Sequence, residues 1–456
     1  MARQEKKIKD FVRSQGVEVV GIAGKHRLDG PPSLDPTYTM PGARSIISMA
    51  LPMDKEAIYD FLSKKSPVPH SLDQVRMNQR MYRTAEFVAG YIRSLGYHAR
   101  AVPSNNDYRR SLNAIATIPS FSHRFGAIAA GIAGQGWSGN VMTEEYGASM
   151  YLGTVVTDAL LVSDPVRFTP RHFIDNLCST CRMCDKTCAA QMFRDDDEEY
   201  VLLNGALHPR GKRRDINLCN ISCFGLHGLS PDKKWTTWSS RWIEPWIDRP
   251  VDSLSKASIH LQLLLRGALS GDSAPRYSVI RSIGNELIPE AFVNEYLDMH
   301  PENMGREDRE RAFFAFAEGL GVTGLRDDRI LTCGHCAIVC GPTLEETAKR
   351  YKLLVNGGLV VLGKDGDMVN VPTYEEALPI YKRNLPKVTP WEMLRDALAS
   401  AYIFQKRYFG LEPKSIIGGI RYARRLKKAV AERIEGHKDA AAGIPERRRA
   451  PIEHPA

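Results

Sequence analysis

The sequence is sparing with cysteine, with aromatic residues and with long apolar runs. It holds nine cysteines and 8% aromatic residues among 456 positions, and no window reaches the roughly 18 uninterrupted apolar residues of a membrane span. The opening MARQEKKIKDFVRSQGVEVVGIAG lacks an apolar signal core, a cleavage site and a twin-arginine pair. We therefore expect a cytoplasmic protein without a transmembrane segment. In a reducing compartment, cysteines that cluster in sequence favour metal binding over disulfides.

What is present is ordinary globular material. The chain is 43% hydrophobic and 25% charged, which suffices for two to three domains without disulfide staples. The net charge of +9 is concentrated partly in the C-terminal stretch IRYARRLKKAVAERIEGHKDAAAGIPERRRAPIEHPA. Such a stretch is typical of a solvated helix and a flexible tail, and the alternatives are an anionic partner protein, a membrane surface or RNA.

Apolar spacing predicts the main elements. A basic helix opens the chain, and strands follow at VEVVGIAG, ARSIISMALPM and, later, YLGTVVTDALLV. LVVLGKDGDMVNVP predicts a hairpin around Asp365 and Gly366. The segment QRMYRTAEFVAGYIRSLGY predicts a helix that stops at Gly96. The apolar face of this helix comprises Met81, Ala85, Val88, Ala89 and Ile92.

A tryptophan-rich segment follows the first cysteines. Its indoles fall at spacings of 3, 4 and 4 residues, which predicts a helical stripe. They are Trp235, Trp238, Trp242 and Trp246. Such a stripe favours buried core, and the alternative is a substrate lid or partner surface.

The cysteines carry the strongest chemical signal. The run CSTCRMCDKTC has the C-x2-C-x2-C-x3-C spacing of bacterial ferredoxins, in which three thiolates hold one [4Fe–4S] cluster and the fourth reaches a second cluster. The run comprises Cys178, Cys181, Cys184 and Cys188. We therefore expect the first three to hold cluster one and Cys188 to serve cluster two.

The remaining cysteines complete the two sets of ligands. CGHCAIVC contains Cys333, Cys336 and Cys340, and two isolated residues, Cys219 and Cys223, lie between the runs. Cys340 completes cluster one, whereas Cys333 and Cys336 join Cys188 and either Cys219 or Cys223 in cluster two. The alternative is a pair of zinc sites, although a run of three closely spaced cysteines followed by a fourth is uncommon for zinc. The proline that usually follows a ferredoxin run is absent, since Ala189 follows Cys188.

A glycine-rich turn precedes the first cysteine run. GIAGQGWSGN contains Gly134, Gly136 and Gly139, and Trp137 lies among them. Glycines let the backbone approach a ligand closely, but they equally allow one protein segment to pack tightly against another. Trp137 suits either the cover of a flat cofactor or the filling of a core.

The order of these motifs resembles the corrinoid iron–sulfur reductases, the family of reductive dehalogenases and epoxyqueuosine reductase. The resemblance covers roughly residues 1 to 225 and 330 to 345. Its successive motifs are AGQGWSG, TEEYG, the strand end Thr157-Asp158, the ferredoxin run, Cys219 and the final cysteine run. MPGARSIISMALPM and AGYIRSLGYHARAVPSN are similar to the N-terminal half of the dehalogenases.

The resemblance implies an α+β fold, in which a nitroreductase-like cobalamin-binding domain carries a bacterial ferredoxin-like domain with two [4Fe–4S] clusters. It also implies a base-off corrinoid. The corresponding divisions are residues 1–168 for the N-terminal part, 169–225 and 329–346 for the cluster segments, 226–328 for a helical insertion, 347–435 for a C-terminal hairpin and helices, and 436–456 for a basic tail.

The resemblance also suggests residues for the corrinoid and for proton transfer. The expected cofactor-binding residues are Gly134, Gly136, Trp137, Gly139, Asn140, Tyr146 and Gly147. The candidate proton donor and basic groups are Tyr97, Tyr108, Tyr146, His123 and Arg124. The segment IPSFSHRFG has no carboxylate where epoxyqueuosine reductase carries an aspartate, which argues against the tRNA reaction. His227 and His335 are expected to pack near the clusters rather than to bind iron.

The sequence thus predicts an oxidoreductase most similar to a reductive dehalogenase, which passes electrons from two clusters to cobalt to cleave a small substrate. Its expected partners are that small molecule and a low-potential donor of the ferredoxin or flavodoxin type. One alternative is a tRNA epoxyqueuosine reductase-like enzyme, favoured by the basic C-terminus. The other is a cobalamin-free two-cluster electron-transfer protein.

Overall fold

The structure is a computed structural model that describes residues 2–103, 119–193, 196–214, 219, 222, 227–240, 242, 334–364 and 368–383. Several residues named above lie outside these ranges. They are Tyr108, Cys223, Cys333, Trp246, the Asp365–Gly366 turn and the basic C-terminal stretch.

The N-terminal part alternates helices with strands. Its helices are α1 (Ala2–Ser14), α2 (Lys55–Leu62), α3 (Val68–Ser94) and α4 (His123–Ala129). Its strands are β1 (Val19–Gly24), β2 (Ser45–Pro52), β3 (Ala99–Val102), β4 (Gly134–Gln135), β5 (Val141–Met142) and β6 (Met150–Thr157). The predicted basic helix and the three predicted strands are confirmed as α1, β1, β2 and β6.

Four strands form one antiparallel sheet in the order β1-β2-β6-β3. β2 pairs with β6 over its whole length, with Ser45 opposite Thr157 and Pro52 opposite Met150. Because alternate side chains of a strand point to opposite faces, each strand contributes to two cores. In β2, for example, Ile46 and Ala50 belong to one core, and Ile47 and Met49 to the other.

Helices cover both faces of the sheet. α1 and α3 lie on the Ile47 face, whereas α4 lies on the Ile46 face. The predicted apolar stripe of α3 is confirmed, because all five of its residues are completely buried. α3 ends at Ser94, and Gly96 then adopts a left-handed conformation with φ +91°, which is the expected stop. This region is therefore a mixed α/β sandwich.

The cysteine region consists of shorter elements. A π-helical turn over Ile174–Cys178 leads into α5 (Ser179–Cys181) and α6 (Met183–Lys186), and a hairpin of β7 (Glu198–Leu203) and β8 (Ala206–Gly211) follows. After the gap come α7 (His335–Ile338), α8 (Leu344–Val355), β9 (Leu359–Leu362), β10 (Met368–Val371) and α9 (Tyr374–Arg383). β9 and β10 pair antiparallel, which confirms the predicted hairpin.

The predicted tryptophan helix is wrong over residues 235–240. Residues 235–240 form an irregular segment in which Thr236 bridges to Leu229 and its hydroxyl accepts a hydrogen bond from the Val360 N–H, at 2.8 Å. Trp235 and Trp238 are buried beside α2, whereas Trp242 stacks on Tyr381 in a different core. The expectation of buried indoles is thus correct for these three. Their spacing reflects insertion into two separate cores and not one helical face.

No helix within the ranges given above is long and apolar enough to cross a membrane.

Candidate functional site

The glycine-rich segment forms a tight turn between β4 and β5. The Gly136 N–H donates to the Asn140 carbonyl at 2.9 Å, and the Gly139 N–H donates to the Gly136 carbonyl at 3.0 Å. Gly139 has φ +74°, which side-chain-bearing residues rarely adopt. The turn therefore depends on glycine at position 139 for its backbone conformation.

Neighbouring protein groups closely approach the three glycines of this turn. A Cβ on Gly134 would meet the Phe173 ring at 2.8 Å, and one on Gly136 would meet Met142 Sδ at 2.8 Å. A Cβ on Gly139 would collide with the Arg213 guanidinium. These glycines allow close packing of the turn against the cysteine region.

Gly147 brings the TEEYG segment against the last cysteine run. A Cβ at this position would collide with the Gly341 backbone, and Gly147 itself has φ +62°. Next to it, the Ala148 N–H and the Ser149 hydroxyl donate to the Cys340 carbonyl at 3.0 and 3.2 Å. Residues almost two hundred positions apart in sequence are thereby joined at the start of β6.

Four cysteine sulfurs form the first group, drawn from both cysteine runs. Burial raises the pKa of Cys340 to about 12, and the nearby sulfurs of Cys178 and Cys181 add to the rise. Burial also raises the pKa of Cys184, to which Asp185, Cys340 and Cys178 contribute. The predicted cluster-one residues thus lie close enough to interact electrostatically.

Three further sulfurs form the second group. Burial raises the pKa of Cys188 to about 12, and the neighbouring sulfurs of Cys219 and Cys336 contribute. Burial raises the pKa of Cys336 as well, with Cys219 the next cause. Cys188 therefore lies with Cys219 and Cys336, although the other three cysteines of its run belong to the first group. Cys333 precedes Cys336 by three residues in the sequence.

The donor chemistry of both groups suits iron–sulfur clusters. None of the seven cysteines that the structure describes forms a disulfide, so their sulfurs are available for cluster ligation. Within the described ranges, no three His, Cys, Asp or Glu side chains converge on the position of one metal ion. The four thiolates of a [4Fe–4S] cube bind four separate iron atoms, so they stand further apart than the ligands of one zinc ion.

Buried polar atoms without partners surround the glycine turn. Gln135 is 1% exposed, and neither its amide oxygen nor its amide nitrogen has a hydrogen-bond partner in the described part of the chain. The same holds for Trp137 Nε1. Unpaired buried polar atoms are costly, so a site with several of them suits a ligand rich in amide groups. The peripheral amides of a corrinoid fit this requirement.

Trp137 links the turn to the first cysteine group. Its backbone N–H bonds to the sulfur of Cys178 and thereby lowers the pKa of that thiol, against the larger effect of burial, which raises it to about 11. The guanidinium carbon of Arg182 lies 3.5 Å from the centroid of the indole ring. Trp137 is thus held between the glycine turn and the cysteine helices.

Two candidate proton donors lie in this part of the fold. Partial burial raises the pKa of Tyr146, with help from Glu145 and Glu18, so its phenol keeps its proton at neutral pH. Burial lowers the pKa of His123 to about 4, and its Nδ1 lies 2.8 Å from the Thr154 hydroxyl. His123 is therefore neutral at pH 7 and does not carry an imidazolium proton to donate.

The other candidates occupy different places. Arg124 follows His123 at the start of α4 and interacts electrostatically with Arg213 and Cys336. Tyr97 lies beyond α3, next to His98, which bonds to Asp158 after the far end of β6. Because β6 separates Asp158 from the Cys340 contacts, the structure does not bring Tyr97 to the cysteine groups. His335 packs between Phe61 and Trp235.

Sequence reasoning missed three groups. In the sequence, Gln135 is only a polar residue between small residues, and this does not predict a role in the site. Arg350 is almost completely buried and donates to the Ser149 hydroxyl at 2.6 Å, to the Ile338 carbonyl at 3.0 Å and to Glu346 at 2.8 Å. Arg213 donates to the Ser138 carbonyl at 2.8 Å. Nothing in the sequence distinguishes these arginines from the many others.

Comparison with known proteins gives partial matches. No family model matches the chain. The chain is 30% identical over 161 residues to the tetrachloroethene reductive dehalogenase of Dehalobacter restrictus, a match that covers 35% of this chain and 25% of that protein. Homologous proteins of Desulfitobacterium hafniense match with the same identity and coverage. The chain thus matches about a quarter of the length of these curated relatives.

The partial identity to these dehalogenases supports the resemblance to the corrinoid iron–sulfur reductases. Reductive dehalogenases are oxidoreductases. Among solved structures, the chain is similar to a catabolic reductive dehalogenase, with TM-score 0.35, 18% identity and coverage of 47% of this chain and 28% of that one. It is also similar to epoxyqueuosine reductase from Bacillus subtilis, with TM-score 0.30, 14% identity and coverage of 70% and 99%.

Proposed function

We propose that the chain is a corrinoid- and [4Fe–4S]-dependent reductase of the reductive dehalogenase type, which cleaves a small substrate reductively. One observation carries the proposal: cysteines from residues 178–188, 219 and 336–340 gather into two groups directly beside the glycine turn. The partial identity to tetrachloroethene reductive dehalogenases supports it. For the substrate, we propose only its class, a small molecule.

The ligands of the clusters follow from the two groups. Cys178, Cys181, Cys184 and Cys340 would hold cluster one. Cys188, Cys333, Cys336 and Cys219 would hold cluster two, and Cys219 is preferred over Cys223 because its sulfur interacts with those of Cys188 and Cys336. When bound, the clusters supply one-electron transfer and the corrinoid supplies a reactive cobalt centre.

The chain's own residues do the remaining work. Gln135 and Trp137 lie on the turn and would bind the periphery of the corrinoid with side chains that are already buried. The apolar neighbours Phe173 and Met142 pack against the turn and exclude water from it. Tyr146 retains a proton on its phenol oxygen, and this is the proton that we assign to the substrate carbon from which the leaving group departs as an anion.

The proposed setting is the cytoplasm, where reducing conditions keep the ligating thiols free. A low-potential donor of the ferredoxin or flavodoxin type would supply the electrons. The basic C-terminal stretch remains the proposed contact for an anionic partner, a membrane surface or RNA.

Anaerobic reconstitution with cobalamin tests the proposal. We expect about one corrinoid per chain and a Co(II) electron paramagnetic resonance spectrum without nitrogen superhyperfine splitting, because a corrinoid in the proposed base-off form has no nitrogen base on its cobalt. Gln135→Leu keeps the volume of the side chain but removes both polar atoms, and it should weaken corrinoid retention. Gln74→Leu, on α3, is the matched control. A nitrogen-split spectrum would contradict the base-off arrangement.

A cobalamin-free two-cluster electron-transfer protein is the second candidate. The packing of Phe173, Met142 and Arg213 against the three glycines favours it, because it shows that protein groups fill the space beside the turn. Reconstituted protein that contains both clusters but retains no corrinoid would establish this function and reject the first.

A further inference from the structure

The two cysteine groups have different electrostatic surroundings. In the second group, Asn140 Nδ2 donates a hydrogen bond to Cys336 Sγ at 3.3 Å. Arg124 and Arg213 also lie close enough to Cys336 for their positive charges to act on its sulfur. Asn140 was expected on the sequence to touch a corrinoid, but its amide nitrogen faces a sulfur.

The glycine turn fixes both the amide and the guanidinium. Ser138 Oγ lies 3.1 Å from Asn140 Nδ2, and the Ser138 carbonyl accepts from Arg213 Nη2 at 2.8 Å. The absence of a Cβ on Gly139 leaves the space that the Arg213 guanidinium occupies. A single serine therefore positions the two groups that face the second set of sulfurs.

In the first group, carboxylates balance the nearby cations. Arg182 pairs with Asp185 at 2.7 Å and with Asp196 at 2.8 Å, and Arg350 pairs with Glu346 at 2.8 Å. Asp185 Oδ1 also lies 3.5 Å from Cys184 Sγ, which places a negative group beside a ligand. The Met142 sulfur, an apolar neighbour, lies 3.8 Å from Cys340 Sγ.

These surroundings act on reduction potential. Reduction adds one negative charge to a cluster, so a nearby cation and a hydrogen bond to a ligating sulfur stabilise the reduced form, whereas a nearby carboxylate opposes it. Both stabilising features act on Cys336, whereas in the first group the hydrogen bond from the Trp137 N–H to Cys178 is opposed by the carboxylate of Asp185 beside Cys184. Their effect is large where solvent is excluded, because the local dielectric is low.

We propose that Asn140 and Arg213 are positioning residues that give the second cluster a more positive reduction potential than the first. This inference rests on the proposed function, since it requires both clusters. Electrons that enter at the first cluster would then collect on the second, beside the glycine turn.

Redox titration followed by electron paramagnetic resonance tests the inference on reconstituted full-length protein. Two single-cluster backgrounds separate the signals: Cys340→Ala removes a ligand of the first cluster, and Cys188→Ala removes a ligand of the second. With Cys340→Ala, adding Asn140→Leu should shift the midpoint potential of the remaining cluster to a more negative value. With Cys188→Ala, the same substitution should leave the midpoint unchanged.

Arg213 provides an independent second variant. Arg213→Met should lower the same midpoint potential, whereas Arg213→Lys keeps the charge and should restore most of it. A purely structural role would disturb iron content without this dependence on charge. Ser138→Ala should cause a smaller shift than Asn140→Leu, because it leaves the amide next to Cys336.

The outcomes distinguish the two proposals. Wild-type protein that does not assemble two clusters would overturn the proposed function and this inference with it. Two assembled clusters whose potentials respond equally to Asn140→Leu, or respond to neither Asn140→Leu nor Arg213→Met, would overturn the inference alone.

Discussion

The antiparallel sheet and the cysteine region are stabilised in different ways. The sheet has an apolar core on each face, closed by α3 and α1 on one side and by α4 on the other. The cysteine region has helices of only three or four residues around its sulfurs, and it draws on segments more than a hundred residues apart. The sheet is stabilised by buried apolar area, which its own residues supply.

The difference indicates where cofactor binding and folding are coupled. Helices as short as α5 and α6 have little stability of their own. Burial disfavours the thiolate and raises the pKa of five cysteines in this region, Cys178, Cys184, Cys188, Cys336 and Cys340. Loading with iron would therefore release protons and add binding energy to the fold. We therefore expect the sheet to persist without iron and the cysteine region to depend on it.

The largest expected effect comes from replacing, in each cysteine run, the one residue that would ligate the other run's cluster. Cys188→Ala should remove the second cluster, although the other cysteines of its run would hold the first. Cys340→Ala should remove the first cluster, although the other cysteines of its run would hold the second. Each change should lower iron from about eight to about four atoms per chain. Iron quantification and hydrogen exchange together check this, and exchange of the β2 and β6 amides should stay unchanged. Loss of both clusters in each variant would contradict the crossed ligand sets.

A cavity in the core of the sheet should lower the free energy of unfolding without changing the iron content. Met81 is completely buried and lies against Gly153 of β6, where an added Cβ would meet its sulfur at 2.5 Å. Met81→Ala should lower the free energy of unfolding by about 2–5 kcal/mol because it removes packed atoms and leaves a cavity. Denaturant titration measures the loss, and iron content should remain at the wild-type level. Met77→Ala, at the partly exposed edge of the same core, should cost less.

The junction between the two regions should be less sensitive than the sheet core. Arg350→Met leaves the Ser149 hydroxyl and the Ile338 carbonyl without their buried donor, and Glu346 without its partner on α8. The expected cost is about 2 kcal/mol, because these buried acceptors lose their donor, while Glu346 keeps its ion pair with Lys55 at 3.3 Å. Glu346 keeps hydrogen bonds from Tyr59, which limits the loss. Denaturant titration of Arg350→Met beside Arg350→Lys checks it; equal stability of Arg350→Met and wild type would contradict this role.

Acid should weaken the packing around His70, whose ring lies against Phe61, by a smaller amount. Burial lowers the pKa of His70 from 6.5 to about 4. Between pH 6.5 and about 4, His70 therefore binds a proton in the unfolded chain but not in the folded chain. Stability is therefore highest above pH 6.5 and falls as the pH drops towards 4, by up to about 2 kcal/mol between pH 7.5 and 5. His70→Gln should reduce this loss in denaturant titrations at the two pH values. An unchanged pH dependence would contradict the assignment.

Much of the sheet was predictable because its elements depend on local periodicity. The buried face of α3, the stop at Gly96 and the strands β1, β2 and β6 follow from apolar spacing and a positive φ at glycine. The tryptophans show the limit of that reasoning. Trp235 and Trp242 have helical spacing yet enter different cores, which only the tertiary fold decides.

The candidate site divides in the same way. Ferredoxin spacing predicts the separation of Cys188 from its own run because the cube's geometry fixes it. Two features depend on contacts between distant segments: the hydrogen bond from Asn140 to Cys336 and the burial of Arg350. No local sequence pattern predicts such contacts. Tyr97 resembled a proton donor by type alone, and its place beyond the far end of β6 shows why type is insufficient.

Mössbauer spectroscopy of full-length protein reconstituted anaerobically with ⁵⁷Fe tests the central claim most directly. The convergence of seven described cysteines, completed by Cys333, predicts about eight iron atoms per chain, all in [4Fe–4S] clusters. Cys219→Ser should halve that signal and Cys223→Ser should leave it unchanged. Protein that binds zinc in place of iron, or that carries a single cluster, would contradict the claim.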